Sequence, residues 1–232
     1  ANNAVAGTTG SWSVVSGTAR ITMANSPTTT ITGVTAGSGD VVLRWTISNG
    51  VCTSTTDDVL IRNEALPTTS NAGVDQVICG TSATLNANAP GAGGGTGQWS
   101  FAPGGNPDGL GSILDVNSRT SGFNGTAGEI YMLHWTITNG TCAPSIDDVQ
   151  ITLQAAPTIA NAGADQLNLC NVTTTALAGN TPVVGAGQWT ITSGAGGSFV
   201  DNTSPTTSFN GTAGTTYILK WTITNGLCAA ST

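Results

Sequence analysis

Tyr131-Met132-Leu133-His134-Trp135-Thr136-Ile137-Thr138-Asn139-Gly140-Thr141-Cys142 is the stretch from which the architecture can be read. Tyr131, Leu133, Trp135 and Ile137 fall on one face, and Met132, His134, Thr136 and Thr138 on the other. A period of two is that of a half-buried strand, not a helix. Asn139-Gly140 follows, and both residue types tolerate the positive φ of a two-residue hairpin turn. A return strand is expected over Asp147-Asp148-Val149-Gln150-Ile151-Thr152-Leu153, so the stretch predicts a closing hairpin.

The same stretch occurs twice more, as Val41 to Cys52 and as Tyr217 to Cys228. Trp45, Trp135 and Trp221 are 90 and 86 positions apart, which predicts an array of units of about 90 residues. Other markers keep step with them. A second Trp sits on its own strand in Ser11-Trp12-Ser13-Val14, Gln98-Trp99-Ser100-Phe101 and Gln188-Trp189-Thr190-Ile191. A further strand is marked by Ile31, Phe123 and Phe209. A unit opens at Asn71-Ala72-Gly73-Val74-Asp75-Gln76-Val77-Ile78-Cys79, and again from Asn161 to Cys170, each after a short linker holding Pro67 or Pro157. Ala83, Leu85 and Ala87 then mark a short strand. Ala1 aligns with Asn88, so the expected division is a partial repeat over 1–65, a complete one over 66–155, and a third over 156–232 without its last strand. About seven short strands per unit predict an all-β fold, with tandem immunoglobulin-like antiparallel β-sandwiches in an extended array. Short linkers make neighbouring units semi-rigid.

Composition narrows the partners. Only 7% of residues are charged, the net charge is −7, and Lys220 is the single lysine. Nucleic acid needs a basic footprint, which this chain lacks. No apolar run is long enough to span a bilayer as a helix. Gly, Thr, Ser, Asn and Ala dominate, a composition compatible with disorder, but six Trp at fixed repeat positions supply each unit with a core.

Ala-Gly-x-Asp-Gln near the start of a unit, Gly-x-Trp in its middle and Leu-x-Trp-Thr-Ile-x-Asn-Gly-x-Cys near its end resemble the PKD-like, immunoglobulin-like repeats of very large surface proteins of gliding and predatory Bacteroidetes. The resemblance covers the whole chain. It implies an extracellular location, a role as stalk or filament, and export by a type IX system.

The five cysteines divide by unit. Cys79 and Cys142 belong to the second repeat, and Cys170 and Cys228 to the third. With one cysteine after the first strand and one past the Asn-Gly turn, both at the same pole, Cys79–Cys142 and Cys170–Cys228 disulfides are expected, and Cys52 would pair outside these residues. Each would close a loop of about 60 residues, contributing roughly 3–4 kcal/mol. Free buried thiols are an alternative. A metal site is another, although Cys-x-x-Cys and clustered His are missing. Disulfides imply an oxidising setting.

Other candidates each carry two readings. His134 is the only histidine, and its counterparts are Arg44 and Lys220, so the position is a solvated one and no Ser-His-Asp set can be assembled. Asp75, Asp147 and Asp148 could gather around Ca²⁺, the one cofactor considered, or could cap turns. The six Trp could form a carbohydrate platform, but they share faces with Leu, Ile, Val and Phe and are better read as core. Outward Thr136 and Thr138, with Thr222 and Thr224, form pairs too sparse for an ice-binding ladder. The loop Ala102 to Gly111, with Asn106, Pro107, Asp108 and Gly109 at its centre, is longer than its counterparts. Binding residues favour such loops, and a harmless insertion is the other reading.

Together these features predict a non-catalytic, extracellular, cell-surface chain. It would be part of a filament or adhesin stalk attaching to cells or surfaces, able to assemble with copies of itself into a homo-oligomer or fibre. A glycan- or protein-binding module, and a spacer of a secreted enzyme, are the alternatives.

Overall fold

The computed structural model describes residues 1–91, 94–167 and 169–232, so Asn168 in the third repeat's opening stretch lies outside the described residues. Among the described residues the chain is all-β, with seventeen strands and no helix. The first repeat contains β1 (Thr9–Ser16), β2 (Arg20–Ile21), β3 (Ile31–Thr32), β4 (Asp40–Ser48) and β5 (Thr55–Arg62). The second contains β6 (Gln76–Cys79), β7 (Ser82–Thr84), β8 (Thr96–Phe101), β9 (Ser112–Ile113), β10 (Gly122–Asn124), β11 (Ile130–Thr138) and β12 (Ser145–Gln154). The third contains β13 (Thr174–Ala176), β14 (Ala186–Ser193), β15 (Ser198–Phe199), β16 (Ser208–Asn210) and β17 (Ile218–Thr224).

The second repeat is an immunoglobulin-like sandwich. One sheet has the order β6-β12-β11-β8 and the other β7-β10-β9. Phe123 of β10 meets Tyr131 of β11 edge to face, with ring centroids 5.0 Å apart. The pairing recurs elsewhere: β1-β4-β5 corresponds to β8-β11-β12, and β13-β16-β15 to β7-β10-β9. One element departs from the antiparallel expectation. β6 runs parallel to β12, with Gln76 opposite Ile151 and Cys79 opposite Gln154. Both strands run from the end where the chain enters the repeat to the end where it leaves.

Contacts divide the chain into two compact units. Unit 1 comprises Ala1–Asn71, Ala87–Gln98 and Trp135–Asp147. Its core includes Val41, Leu43 and Trp45, and the indoles of Trp12 and Trp45 lie 5.2 Å apart. Unit 2 comprises Ala72–Asn86, Trp99–His134 and Asp148–Thr232. It holds Phe123, Tyr131, Val149, Ile151 and Leu153, and a second cluster of Leu177, Trp189, Phe209, Trp221 and Ile223. Each unit contains one boundary between successive repeats.

Gly-x-Trp builds the core through a close approach. A Cβ on Gly10 would overlap the Trp45 indole, one on Gly97 the Trp135 indole, and one on Gly187 the Trp221 indole. Glycine is therefore required where the neighbouring strand's Trp lies flat across the backbone.

Candidate functional site: the repeat junctions

Polar side chains concentrate where one repeat meets the next, and they do so identically at both boundaries. In unit 1, Asn139 Nδ2 donates to the Ala65 carbonyl at 2.9 Å. In unit 2, Asn225 Nδ2 donates to the Ala155 carbonyl at 2.7 Å. The linker is fastened in the same repeated manner. Ser70 N donates to Ser145 Oγ, and Ala160 N to Ser231 Oγ, both at 2.8 Å. Asn71 N donates to Asn88 Oδ1 at 2.9 Å and Asn161 N to Asn180 Oδ1 at 2.8 Å. Thr68 Oγ1 accepts from Gly91 N at 2.7 Å, and Thr158 Oγ1 accepts from Val183 N and Val184 N at 2.9 Å. The following repeat thus supplies the partners that a linker backbone needs. The carbonyls of Asn88 and Asn180 also accept from the indole N–H of Trp135 and Trp221, at 3.1 and 3.2 Å.

These contacts correct the expected two-residue hairpin. β11 ends at Thr138 and β12 begins at Ser145, so residues 139–144 connect them. Gly140 and Gly226 have φ of +52°, whereas neither Asn139 nor Asn225 has positive φ. The Cys142 and Cys228 N–H groups instead close turns onto the Asn139 and Asn225 carbonyls, at 3.1 and 3.0 Å. In the second and third repeats the Asn side-chain amide reaches the preceding repeat; in the first, Asn49 Oδ1 accepts from the turn's own Val51 N and Cys52 N, at 3.1 and 2.8 Å.

The cysteine pairing is also corrected. Cys79 is bonded to Cys228 of the next repeat, with Cα atoms 5.0 Å apart and 149 positions between them in sequence. Cys52, Cys142 and Cys170 are free. Cys79–Cys142 fails because the two are not at one pole. Cys142 precedes β12 and Cys79 lies in register with its last residue, Gln154. A ten-residue strand spans about 33 Å, whereas bridged Cα atoms lie within about 7 Å. Cys228 instead reaches back across the boundary, its Sγ 3.7 Å from the Gln154 carbonyl and 3.3 Å from that of Ala155. With Cys228 committed to Cys79, Cys170–Cys228 does not form either.

The remaining candidates are occupied by structural contacts. Arg44 bonds Asp58 through two nitrogens at 2.7 and 2.8 Å, and His134 Nδ1 pairs with Asp148 at the matching position of the second repeat. The Arg44 guanidinium beside Asp58 holds its carboxyl below the usual range, as Arg62 does for Asp40. Asp75 Oδ1 accepts from Gln150 N at 2.9 Å, a backbone group within β12 and not in a turn. Asp147 also has a partner. Among the described residues, no three His, Cys, Asp or Glu side chains gather as a metal would need.

The long loop of the second repeat is tied inward. Asn106 Oδ1 accepts from Gly111 N at 2.9 Å, and Asp108 Oδ1 accepts from Leu110 N at 3.0 Å. Tyr131 Oη donates to Asp108 at 3.0–3.1 Å while accepting from Thr126 N at 2.8 Å. Asp108 is held below the ordinary carboxylate range, first by Thr126, then by the Leu110 N–H, with Tyr131 contributing. Pro107 and Gly109 remain exposed. In the third repeat, Tyr217 Oη accepts from Thr212 N and donates to the Ala195 carbonyl, and the Thr212 N–H lowers its pKa most.

Sequence reasoning missed Asn139 and Asn225 as latches, and missed Thr68, Thr158, Ser145 and Ser231 altogether. The available signal was their recurrence at equal spacing, Thr68 to Asn71 matching Thr158 to Asn161.

No helix among the described residues is long and apolar enough to cross a membrane. No protein-family model matches the chain. No curated protein matches its sequence. Among solved structures, immunoglobulin domains 1–5 of Sidekick-1 are similar at TM-score 0.47 and 12% identity, over 97% of this chain and 53% of that one. Extracellular domains 3–5 of Drosophila OTK are similar at TM-score 0.43 and 12% identity, over 97% of this chain and 83% of that one. The insect immune protein hemolin gives TM-score 0.41 and 11% identity, over 80% of this chain and 52% of that one. These values carry no argument about function, and the fold rests on the strand pairing described above.

Proposed function

We propose that the chain is a non-catalytic structural segment of an extracellular surface array, which serves adhesion by holding its repeats in a fixed, tension-resistant series. The observation that carries this reading is the Cys79–Cys228 bond between successive repeats. A disulfide within a repeat would stabilise that repeat alone. One between repeats limits how far the chain can extend, and it needs an oxidising compartment. The recurring Asn139 and Asn225 contacts and the fastened linkers support the same reading. So does the motif resemblance to Bacteroidetes surface repeats, with its implied type IX export. Side-by-side assembly into a fibre belongs to this proposal, supported by the low charge and the outward Thr rows. A monomer at high concentration in analytical ultracentrifugation would remove that part.

Pulling single molecules by their termini tests the mechanical part. With the disulfide intact, the stretch between Cys79 and Cys228 is shielded from extension. Adding a reductant should lengthen the fully unfolded contour by about 500 Å, from 149 residues at roughly 3.3–3.6 Å each. A contour indifferent to reductant would overturn the proposal.

A further inference from the structure

The bond between the second and third repeats has one open end and one covered end. Cys79 closes the edge strand β6 and is exposed. Cys228 is only 7% exposed. In thiol–disulfide exchange, access decides which of the two sulfurs an incoming thiolate attacks. A small thiol therefore meets the bond at Cys79.

Each cysteine is also held in place by contacts other than the bond. Cys79 lies opposite Gln154 in the parallel β6-β12 pair, and the adjacent Gly80 N donates to the Gln154 carbonyl at 2.9 Å. Cys228 N closes its turn onto the Asn225 carbonyl at 3.0 Å, and the adjacent Leu227 N donates to Gln154 Oε1 at 2.7 Å. Gln154 thus grips the neighbours of both cysteines, one with its carbonyl and the other with its side chain. A Cβ on Gly226 would overlap that side chain, so glycine is needed where it passes. Glu64 lies against Gly140 in the same way at the preceding junction. Cys142 is free there, yet its Sγ lies 3.9 Å from the Glu64 carbonyl and Asn139 still reaches Ala65. The turn sets the sulfur's place whether or not the sulfur is bonded. A freed Cys228 also has an acceptor at hand, because its Sγ lies 3.3 Å from the Ala155 carbonyl.

We infer that the Cys79–Cys228 bond is a one-sided exchange site for a small external thiol, and that Gln154 is the positioning residue that lets it close again. The external thiolate attacks Cys79 Sγ. A mixed disulfide forms on Cys79, the bond to Cys228 breaks, and Cys228 leaves as a thiolate. That thiolate takes a proton from water and donates the S–H to the Ala155 carbonyl. Closure is the reverse: the Cys228 thiolate attacks Cys79 Sγ and expels the external thiol, so no separate oxidant is consumed. The junction keeps its Asn225 contact throughout, so the bond opens and reseals without the repeats parting. The inference rests on the Cys79–Cys228 bond and not on the adhesive reading.

The test uses the oxidised 232-residue chain with Cys52→Ser, Cys142→Ser and Cys170→Ser, which leaves one disulfide. It is mixed briefly with reduced glutathione at pH 8, quenched with acid and mapped by peptide mass. Glutathione should sit on Cys79 at least about tenfold more often than on Cys228, and the preference should vanish in urea. Returned to pH 8 without free glutathione, the mixed disulfide should release its glutathione in a first-order process independent of protein concentration, because the two sulfurs stay together. Gln154→Ala should slow that release about tenfold with glutathione still found on Cys79, a combination that simple opening of the junction would not give. Equal labelling of the two cysteines in the folded chain would overturn the inference. So would a release rate that rises with protein concentration, or one that is unchanged in Gln154→Ala.

Discussion

Tyr131 shows how one side chain organises a loop that composition alone would leave floppy. Its ring is buried against Phe123, and its hydroxyl joins Asp108 to Thr126. Tyr131→Phe keeps the ring and removes both bonds, so a loss of about 1–2 kcal/mol is expected in denaturant melts. Asp108 adds a pH dependence. Its folded pKa is depressed, so its contribution is complete above the ordinary carboxylate range and is lost as pH falls through the lower folded value. Asp108→Asn should therefore flatten the acid side of a plot of Tm against pH, and an unchanged acid limb would show that the loop contacts do not persist in solution. Gly187 is the other residue whose identity is dictated by a neighbour. Gly187→Ala drives a methyl into the buried Trp221 indole and should cost about 2–3 kcal/mol, read as a lowered Tm.

At the scale of elements, the strands follow from alternation. Val41, Leu43 and Trp45 are buried, as are Tyr131, Leu133, Trp135 and Ile137. Alternation does not tell which way a strand runs. The short β6 reads as an ordinary first strand, and its parallel pairing with β12 is what moves Cys79 away from Cys142. The turn after each main strand was legible as a turn, but not as a latch. Asn225→Ala should remove the bond to Ala155 and cost about 1 kcal/mol, while Asn225→Asp keeps the shape and exchanges the donor for an acceptor. Both should loosen the junction, seen as faster amide exchange around Ala155. Loss confined to the 225–228 turn would contradict the latch.

For the whole molecule, the cysteine chemistry gives the sharpest expectation. Denatured without reductant, the oxidised chain should show three reactive thiols, at Cys52, Cys142 and Cys170, and a single tryptic cross-link joining Cys79 to Cys228. Pairs within repeats would leave only one thiol. Cys79→Ser and Cys228→Ser should each destabilise by about 2–5 kcal/mol, and the double variant no more than either alone, because they remove one bond. Calorimetry should then resolve the second and third repeats as separate transitions where the oxidised protein melts them together.

The sequence by itself determined the repeat, the strands and the inward Trp faces. All of these follow from neighbours one to three residues apart, or from recurrence at fixed spacing. Only the tertiary structure decided the cysteine partners, the task of Asn139 and Asn225, and the inward fastening of Asp108. These depend on which end of a sheet each strand reaches and on what the adjoining repeat places there. A periodicity of two is unchanged when a strand is reversed, so it carries no information about either.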